Sequence, residues 1–273
     1  MMECCVIGES DERGNGMNPI YEPKGKAREY SPLALNVYNG CDHGCAYCYV
    51  PQALRREDAN INPRIRPNPI YHLAKQLEKG KIDKQVLLCF ATDPYCYRDT
   101  QEGTTRHVLM QLAANKVPTA ILTKGGMRAR RDVDIFKLFE DKIKVGASLT
   151  FWNVQKSETL EPGAVRPSSR LAMLERLHQE GIQTWASIEP VIDPEESLEM
   201  IERSLPFTDH YMIGKLNHHK DIESKIDWQD YACRAVALLW KAKKQFYLKD
   251  DLARYYPCVL PAQYRDMNFL NVA

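Results

Sequence analysis

The chain carries no surplus of either charge: Lys+Arg 37 stand against Asp+Glu 36 over 273 residues, a formal net charge of +1. A strongly basic nucleic-acid binder would show a clear positive excess, and this chain does not. Long hydrophobic runs are missing too, and no stretch reaches the length needed to cross a bilayer as a helix. The opening residues, MMECCVIGESDERGNG, lack the basic-then-apolar order of a secretory leader, so a cytoplasmic, reducing setting is expected. In that setting, nine cysteines in a chain long enough to build its own core read as metal ligands rather than disulfides. The local basic clusters, Arg128, Arg130 and Arg131 and then Lys241, Lys243 and Lys244, read as solvated helix faces.

A hydrophobic content of 44% suits one large core, or a barrel-like α/β domain with a short extension. Residues 1–31 are rich in Gly, Pro and charge and read as an arm that wraps or stays mobile. After them, short β-rich runs alternate with segments of helical spacing. The runs are Leu33–Tyr38, Gln85–Ala91, Val117–Thr123, Ile143–Leu149, Ile182–Ile188 and His210–Gly214. The helical candidates are NPIYHLAKQLEKG, GTTRHVLMQLAAN, RDVDIFKLFED, PSSRLAMLERLHQEG and PEESLEMIERSL. In the fourth, Leu171, Leu174 and Leu177 with Met173 make a buried stripe that Gly181 terminates. A last helix, WQDYACRAVALLWKAKK, precedes a further short run, QFYLK.

Strands alternating with helices imply a parallel sheet with right-handed crossovers. Six such units make an open or partial barrel, although a doubly wound sheet shares the local pattern. The expected division is an arm at 1–31, a barrel at 32–215 and a helical, substrate-side extension at 216–273. In either architecture chemistry gathers at the C-terminal ends of the strands. The chemically distinctive residues fall there: a cysteine loop, Thr92 with Asp93, Thr123 with Lys124, Ser148, and Glu189 with Pro190.

The cysteine loop is NVYNGCDHGCAYCYVP, Asn36 to Pro51, with Cys41, Cys45 and Cys48 spaced C-x3-C-x2-C. Gly40 and Gly44 let backbone approach a bulky inorganic centre. Three thiolates leave one coordination position open. On an iron–sulfur cluster that position can bind a substrate or cofactor; on zinc, His43 or a distant ligand would have to close a Cys3His site.

This spacing, with Tyr47 just before the third cysteine, resembles the signature of radical S-adenosylmethionine enzymes. The likeness extends to the subgroup similar to spore photoproduct lyase, through SPLALNVYNGCDHGCAYCYVP, ATDPYCYRDTQEGTTRHVL, AILTKGG, VGASLTF and LEPGAVRPSSRLAMLERLHQEGI in the same order. It covers about Ser31 to Asp193. The resemblance implies a partial (β/α)6 barrel holding one [4Fe–4S] cluster on Cys41, Cys45 and Cys48, with S-adenosylmethionine on the unique iron. It further implies cleavage to methionine and a 5′-deoxyadenosyl radical that takes hydrogen from a substrate, and an electron-supplying partner such as a flavodoxin or ferredoxin.

Carried across residue by residue, Tyr47 faces the adenine side, Thr92 and Asp93 the methionyl amine, Lys124 the methionyl carboxylate, and Ser148 the ribose or carboxylate. Glu189 joins this cofactor-facing set from its strand end. Ordinary roles stand beside these: Asp93 also suits a cap on the turn before Pro94, and Lys124 a surface lysine. The lesion-repairing lyases carry a hydrogen-donating cysteine where this chain has Phe90. Cys89 is one residue off, which on a strand faces the other side, and Cys96 in the following loop is the candidate donor. An isomerisation that returns hydrogen from 5′-deoxyadenosine needs no such donor. The remaining Cys4, Cys5, Cys233 and Cys258 form no second cluster motif.

At the substrate end, Lys215 and Asn217 follow the sixth run, with His218 and His219 as solvated loop. FYLKDDLARYYP, Phe246 to Pro257, sets Lys249 and Arg254 among tyrosines, a mix that suits a nucleic-acid groove or a barrel core. Arg55, Arg56, Arg64 and Arg66 beyond the cysteine loop could guide a polyanion. The expected substrate is a thymine or modified thymine in DNA, undergoing repair, isomerisation or modification and flipped from the duplex to react. A peptide or small metabolite is the second reading, and a non-enzymatic zinc or iron–sulfur module the third.

Overall fold

Seven parallel strands run side by side in the computed structural model, which describes residues 18–54, 57 and 61–265. The strands, in chain order, are β1 (Ile20–Tyr21), β2 (Leu33–Leu35), β3 (Tyr38–Asn39), β4 (Arg64–Ile65), β5 (Val86–Leu88), β6 (Thr119–Thr123), β7 (Ile143–Ser148), β8 (Gln183–Ile188), β9 (His210–Ile213) and β10 (Gln245–Leu248). The main sheet has the order β1-β2-β5-β6-β7-β8-β9-β10, with β1 antiparallel at one edge. Among the described residues the sheet does not close on itself, and the architecture is an α/β partial barrel. Cys4, Cys5, Arg55 and Arg56 lie outside the described residues.

Strands buried on both faces read as unbroken apolar runs rather than alternating ones. β7, IKVGAS, is buried along its whole length. Its Gly146 is required by packing, because a Cβ there would sit 2.4 Å from the Trp185 ring of β8. The helix Pro167–Gln179 buries Leu171, Met173, Leu174 and Leu177 as its periodicity implies, and Gly181 follows at φ +77°. Pro194 opens the next helix, where Asp193 caps the amides of Glu195 and Glu196.

Two expectations change. The run Leu33–Tyr38 is not one strand: β2 ends at Leu35, and Tyr38–Asn39 pairs with β4 in a separate ribbon. The break falls at buried Asn36, whose Oδ1 accepts from the amides of Phe90 and Ala91, both at 3.0 Å. The segment RDVDIFKLFED forms only a single α-helical turn, Val133–Phe136, between 3-10 turns. There Asp132 is buried and accepts from Tyr95, Arg106 and Arg131, which fixes its turn tertiarily. Beyond position 215, β10 adds a seventh parallel strand beside β9. In the described part of the arm, β1 lies on the sheet edge and Glu29 is buried against Tyr247 and the Asp250 amide.

Candidate active site

The C-terminal ends of these strands open onto a cavity of about 260 Å³. Cys41, Cys45, Tyr47, Cys48, Thr92, Asp93, Lys124, Ser148, Glu189, Lys215, Asn217 and Lys249 all reach its wall. A second depression lies near the last described residues, lined by Asp250, Arg254, Tyr256 and Arg265, and holds none of these groups.

The cysteine loop is held by backbone. The Ala46 amide donates to Leu160 O (2.9 Å), and Gly163 N donates to His43 O (2.8 Å). A Cβ on Gly163 would lie 1.9 Å from Asp42 O, so only glycine lets the two segments meet. Gly40 sits at φ +84° with Ile61 O where a Cβ would point. All three thiols are free and partly exposed to the cavity. Burial pushes the Cys45 thiol up to about 11 and raises Cys41 and Cys48 as well. Such thiols stay protonated until a metal displaces the proton.

This soft, three-thiol donor set on one braced loop, open to a cavity, fits an iron–sulfur cluster with one iron left free. It does not fit a closed zinc site. His43 turns Nδ1 toward Asp93 Oδ2 at 3.6 Å, and among the described residues no three His, Cys, Asp or Glu side chains converge as single-ion ligands.

Tyr47 places its ring on the cavity wall and donates its hydroxyl to Glu161, with Thr150 Oγ1 3.3 Å away. Asp93 serves the fold as well as the cavity. Its Oδ1 accepts from Thr123 Oγ1 (2.6 Å) and the Tyr95 amide (2.8 Å), and its Oδ2 from the Lys124 amide (2.7 Å). The turn-capping role and the cavity position are thus both present. Thr92 Oγ1 donates to Gly40 O at 2.5 Å. Lys124 is no surface lysine: its ammonium is mostly buried, 3.9 Å from Glu161 Oε1 and 5.6 Å from the Tyr47 ring centre.

At the opposite end, Lys249 is fully buried. Its ammonium meets Glu189 Oε2 at 2.8 Å and Glu29 Oε2 at 3.6 Å. Burial alone would lower its pKa, but these carboxylates outweigh that and hold it above the ordinary lysine value. Glu189 also accepts from Tyr30, whose hydroxyl lies 3.0 Å from Ser187 Oγ. Lys215 pairs with Glu223 (2.6 Å), and Asn217 bonds Asp251 (2.9 Å) and Lys26 (2.6 Å).

Cys96 is not brought to this cavity. It is buried in the hydrophobic core where the helix Tyr97–Glu102 begins, while Cys89 lines the wall instead. The alternation argument fails because β5 ends at Leu88, leaving Cys89 and Phe90 on irregular backbone where both reach the cavity. The Tyr-rich segment divides: Phe246, Tyr247 and Leu248 are β10 core, whereas Arg254 and Tyr255 are exposed. Arg64 is exposed, and Arg66 is half-buried with its guanidinium near Tyr38 O (3.5 Å). His218 is exposed at the cavity's edge. Sequence reading missed Tyr30, Ser187 and Glu161. Only Ser187, one residue before a strand end, carries a positional signal.

The family model of the Radical SAM superfamily matches residues 35–207. An uncharacterized protein of Methanocaldococcus jannaschii is 26% identical over 205 residues, 74% of this chain and 74% of that one. Among solved structures, a variant of spore photoproduct lyase with AdoMet and dinucleoside spore photoproduct bound aligns at TM-score 0.62 and 13% identity, over 80% of this chain and 76% of that one. SuiB of Streptococcus suis bound to precursor peptide SuiA aligns at TM-score 0.60 and 17% identity, over 88% of this chain and 55% of SuiB. The chain therefore spans about half the length of SuiB, and both likenesses are of fold.

Proposed function

Because this chain belongs to the Radical SAM superfamily, whose cofactors are a [4Fe–4S] cluster and S-adenosylmethionine, we propose that it is a radical enzyme acting on a nucleobase, a thymine or modified thymine in DNA. When bound, the cluster and S-adenosylmethionine would supply the one-electron chemistry that removes a hydrogen atom from the substrate. The chain's own residues bind, orient and shield. Cys41, Cys45 and Cys48 hold the cluster. Lys124 supplies the cation for the methionyl carboxylate, and Asp93 the opposing charge for the amine. Ser148 and Tyr47 line the nucleoside side, with Thr92 fixing the loop beside it.

The observation that carries the nucleobase reading is the composition of the wall facing the thiols. Tyr30 and Phe90 meet edge to face at 5.9 Å beside Ser187 and Glu189. Aromatic faces next to hydrogen-bonding groups suit a planar ring with N–H and C=O edges. A peptide substrate is the second reading, and a different observation favours it. Three lysines at this end, Lys26, Lys215 and Lys249, are each paired with a carboxylate, which leaves them little charge for phosphates.

The test is 5′-deoxyadenosine formation by the anaerobically reconstituted, reduced protein, with and without thymine-containing DNA. Stimulation by DNA of tenfold or more is the expected result. A rate indifferent to DNA but raised by a peptide would transfer the proposal to the second reading. Within the same assay, Cys96→Ala is expected to leave the product yield unchanged, because that thiol does not reach the cavity. Cys89→Ala is the informative cysteine variant: loss of product at undiminished 5′-deoxyadenosine formation would identify a hydrogen donor at the wall.

A further inference from the structure

We infer that Glu161 is a positioning residue for S-adenosylmethionine, acting through the Tyr47 hydroxyl and the Lys124 ammonium; this rests on the assignment of those two residues as cofactor contacts. Glu161 itself does not line the cavity. It is 1% exposed and sits one layer behind the wall. Its Oε1 accepts the Tyr47 hydroxyl and lies 3.9 Å from Lys124 Nζ, while its Oε2 accepts from Arg170 at 2.5 Å.

Two features make this more than a buried ion pair. The first is charge. Arg170 and Glu161 cancel, so the group of three leaves the single positive charge of Lys124 facing the cavity. Without Arg170, Glu161 would claim Lys124 for itself; without Glu161, two cations would repel across the wall and Lys124 would lose its hold. The second is register. Glu161 lies between Leu160 and Gly163, whose backbone groups bond to Ala46 and His43 on either side of Cys45. One short segment therefore fixes the cysteine loop and the groups beside it in a common frame, so the cluster's open iron and the cofactor's binding groups keep their spacing.

The experiment measures the dissociation constant of S-adenosylmethionine on the reconstituted holoenzyme, from the change it causes in the reduced cluster's electron paramagnetic resonance spectrum. Glu161→Gln and Tyr47→Phe are each expected to weaken binding about tenfold, and the double variant no more than the weaker-binding single one, because both break the same chain of contacts. Tyr47→Phe leaves the Arg170–Glu161 pair in place, so a weakened affinity with unaltered melting temperature and iron content separates positioning from folding. It carries the test if Glu161→Gln does not fold. Unchanged affinity in Tyr47→Phe, or effects that multiply in the double variant, would overturn the inference. Lys124→Met is the control on its premise: if that variant binds as tightly as the parent, the cofactor assignment fails, whatever Glu161 does.

Discussion

Cys45→Ala is expected to yield a folded protein with no intact cluster, little bound iron and no detectable formation of 5′-deoxyadenosine. The loop is shaped by backbone bonds from Ala46 to Leu160 and from Gly163 to His43, and neither needs the Cys45 sulfur. The fold should therefore survive. The cluster should not, because no other described thiol is placed to substitute: Cys96 is packed in the core, and Cys233 and Cys258 belong to the helix Trp228–Lys241 and the loop after β10. Cys89 lines the same cavity but is buried, on the separate segment after β5. Because burial holds the Cys45 thiol at about 11, loading iron must expel a proton, and reconstitution of the parent protein should become less complete as pH is lowered. Iron and sulfide analysis with the visible absorption of the anaerobic protein checks both points. A variant that reconstitutes to the parent's iron content would remove Cys45 from the ligand set.

Arg170→Met is expected to carry the largest stability loss. Arg170 and Glu161 are both fully buried, and removing one partner leaves an uncompensated charge, which costs about 3–5 kcal/mol. For a chain of this size that corresponds to a melting temperature lower by roughly 10 °C. The same pair sets an acid limit. Burial pushes the Glu161 carboxyl up, but Arg170 and then Lys124 outweigh it and bring the group from 4.5 down to about 2. A carboxyl held below its unfolded value contributes stability that is fully present above about pH 4.5 and is lost as pH falls toward about 2. The depression corresponds to about 3 kcal/mol. Thermal melts of parent and Arg170→Met between pH 7 and pH 3 should therefore converge as the medium becomes acid. A gap that stays constant over that range would show that the pair is not what gives way.

Much of the barrel was legible because its signals are local. Each of the six expected runs contains a strand of the sheet, and the stripe Leu171, Leu174, Leu177 lies on the buried face of its helix. The cluster of strand-end residues at one cavity was legible too, because parallel strands with crossover helices must all end on the same side. What failed were inferences from strand periodicity past a strand's end. Cys89 and Phe90 share the cavity since β5 stops at Leu88, and Cys96, close to Asp93 in sequence, turns into the core. The C-terminal run QFYLK, read as part of an extension, completes the sheet because β9 offers a free edge that β10 pairs in register.

The three thiols and the alternation of strand and helix follow from residue types at short, regular spacing, and such patterns survive without knowledge of the fold. The wall around those thiols does not. Tyr30 meets Ser187 across 157 positions, Lys249 meets Glu189 across 60, and Tyr47 meets Glu161 across 114. Each contact joins side chains delivered by separate segments (strand ends, the arm, the cysteine loop or the end of the helix Val154–Leu160), so it leaves no periodic trace in the chain. Their partnership exists only because the fold draws distant segments around one cavity, where burial makes an unsatisfied charge costly enough that the lysines there pair with carboxylates and Asp93 is held by hydroxyl and amide donors.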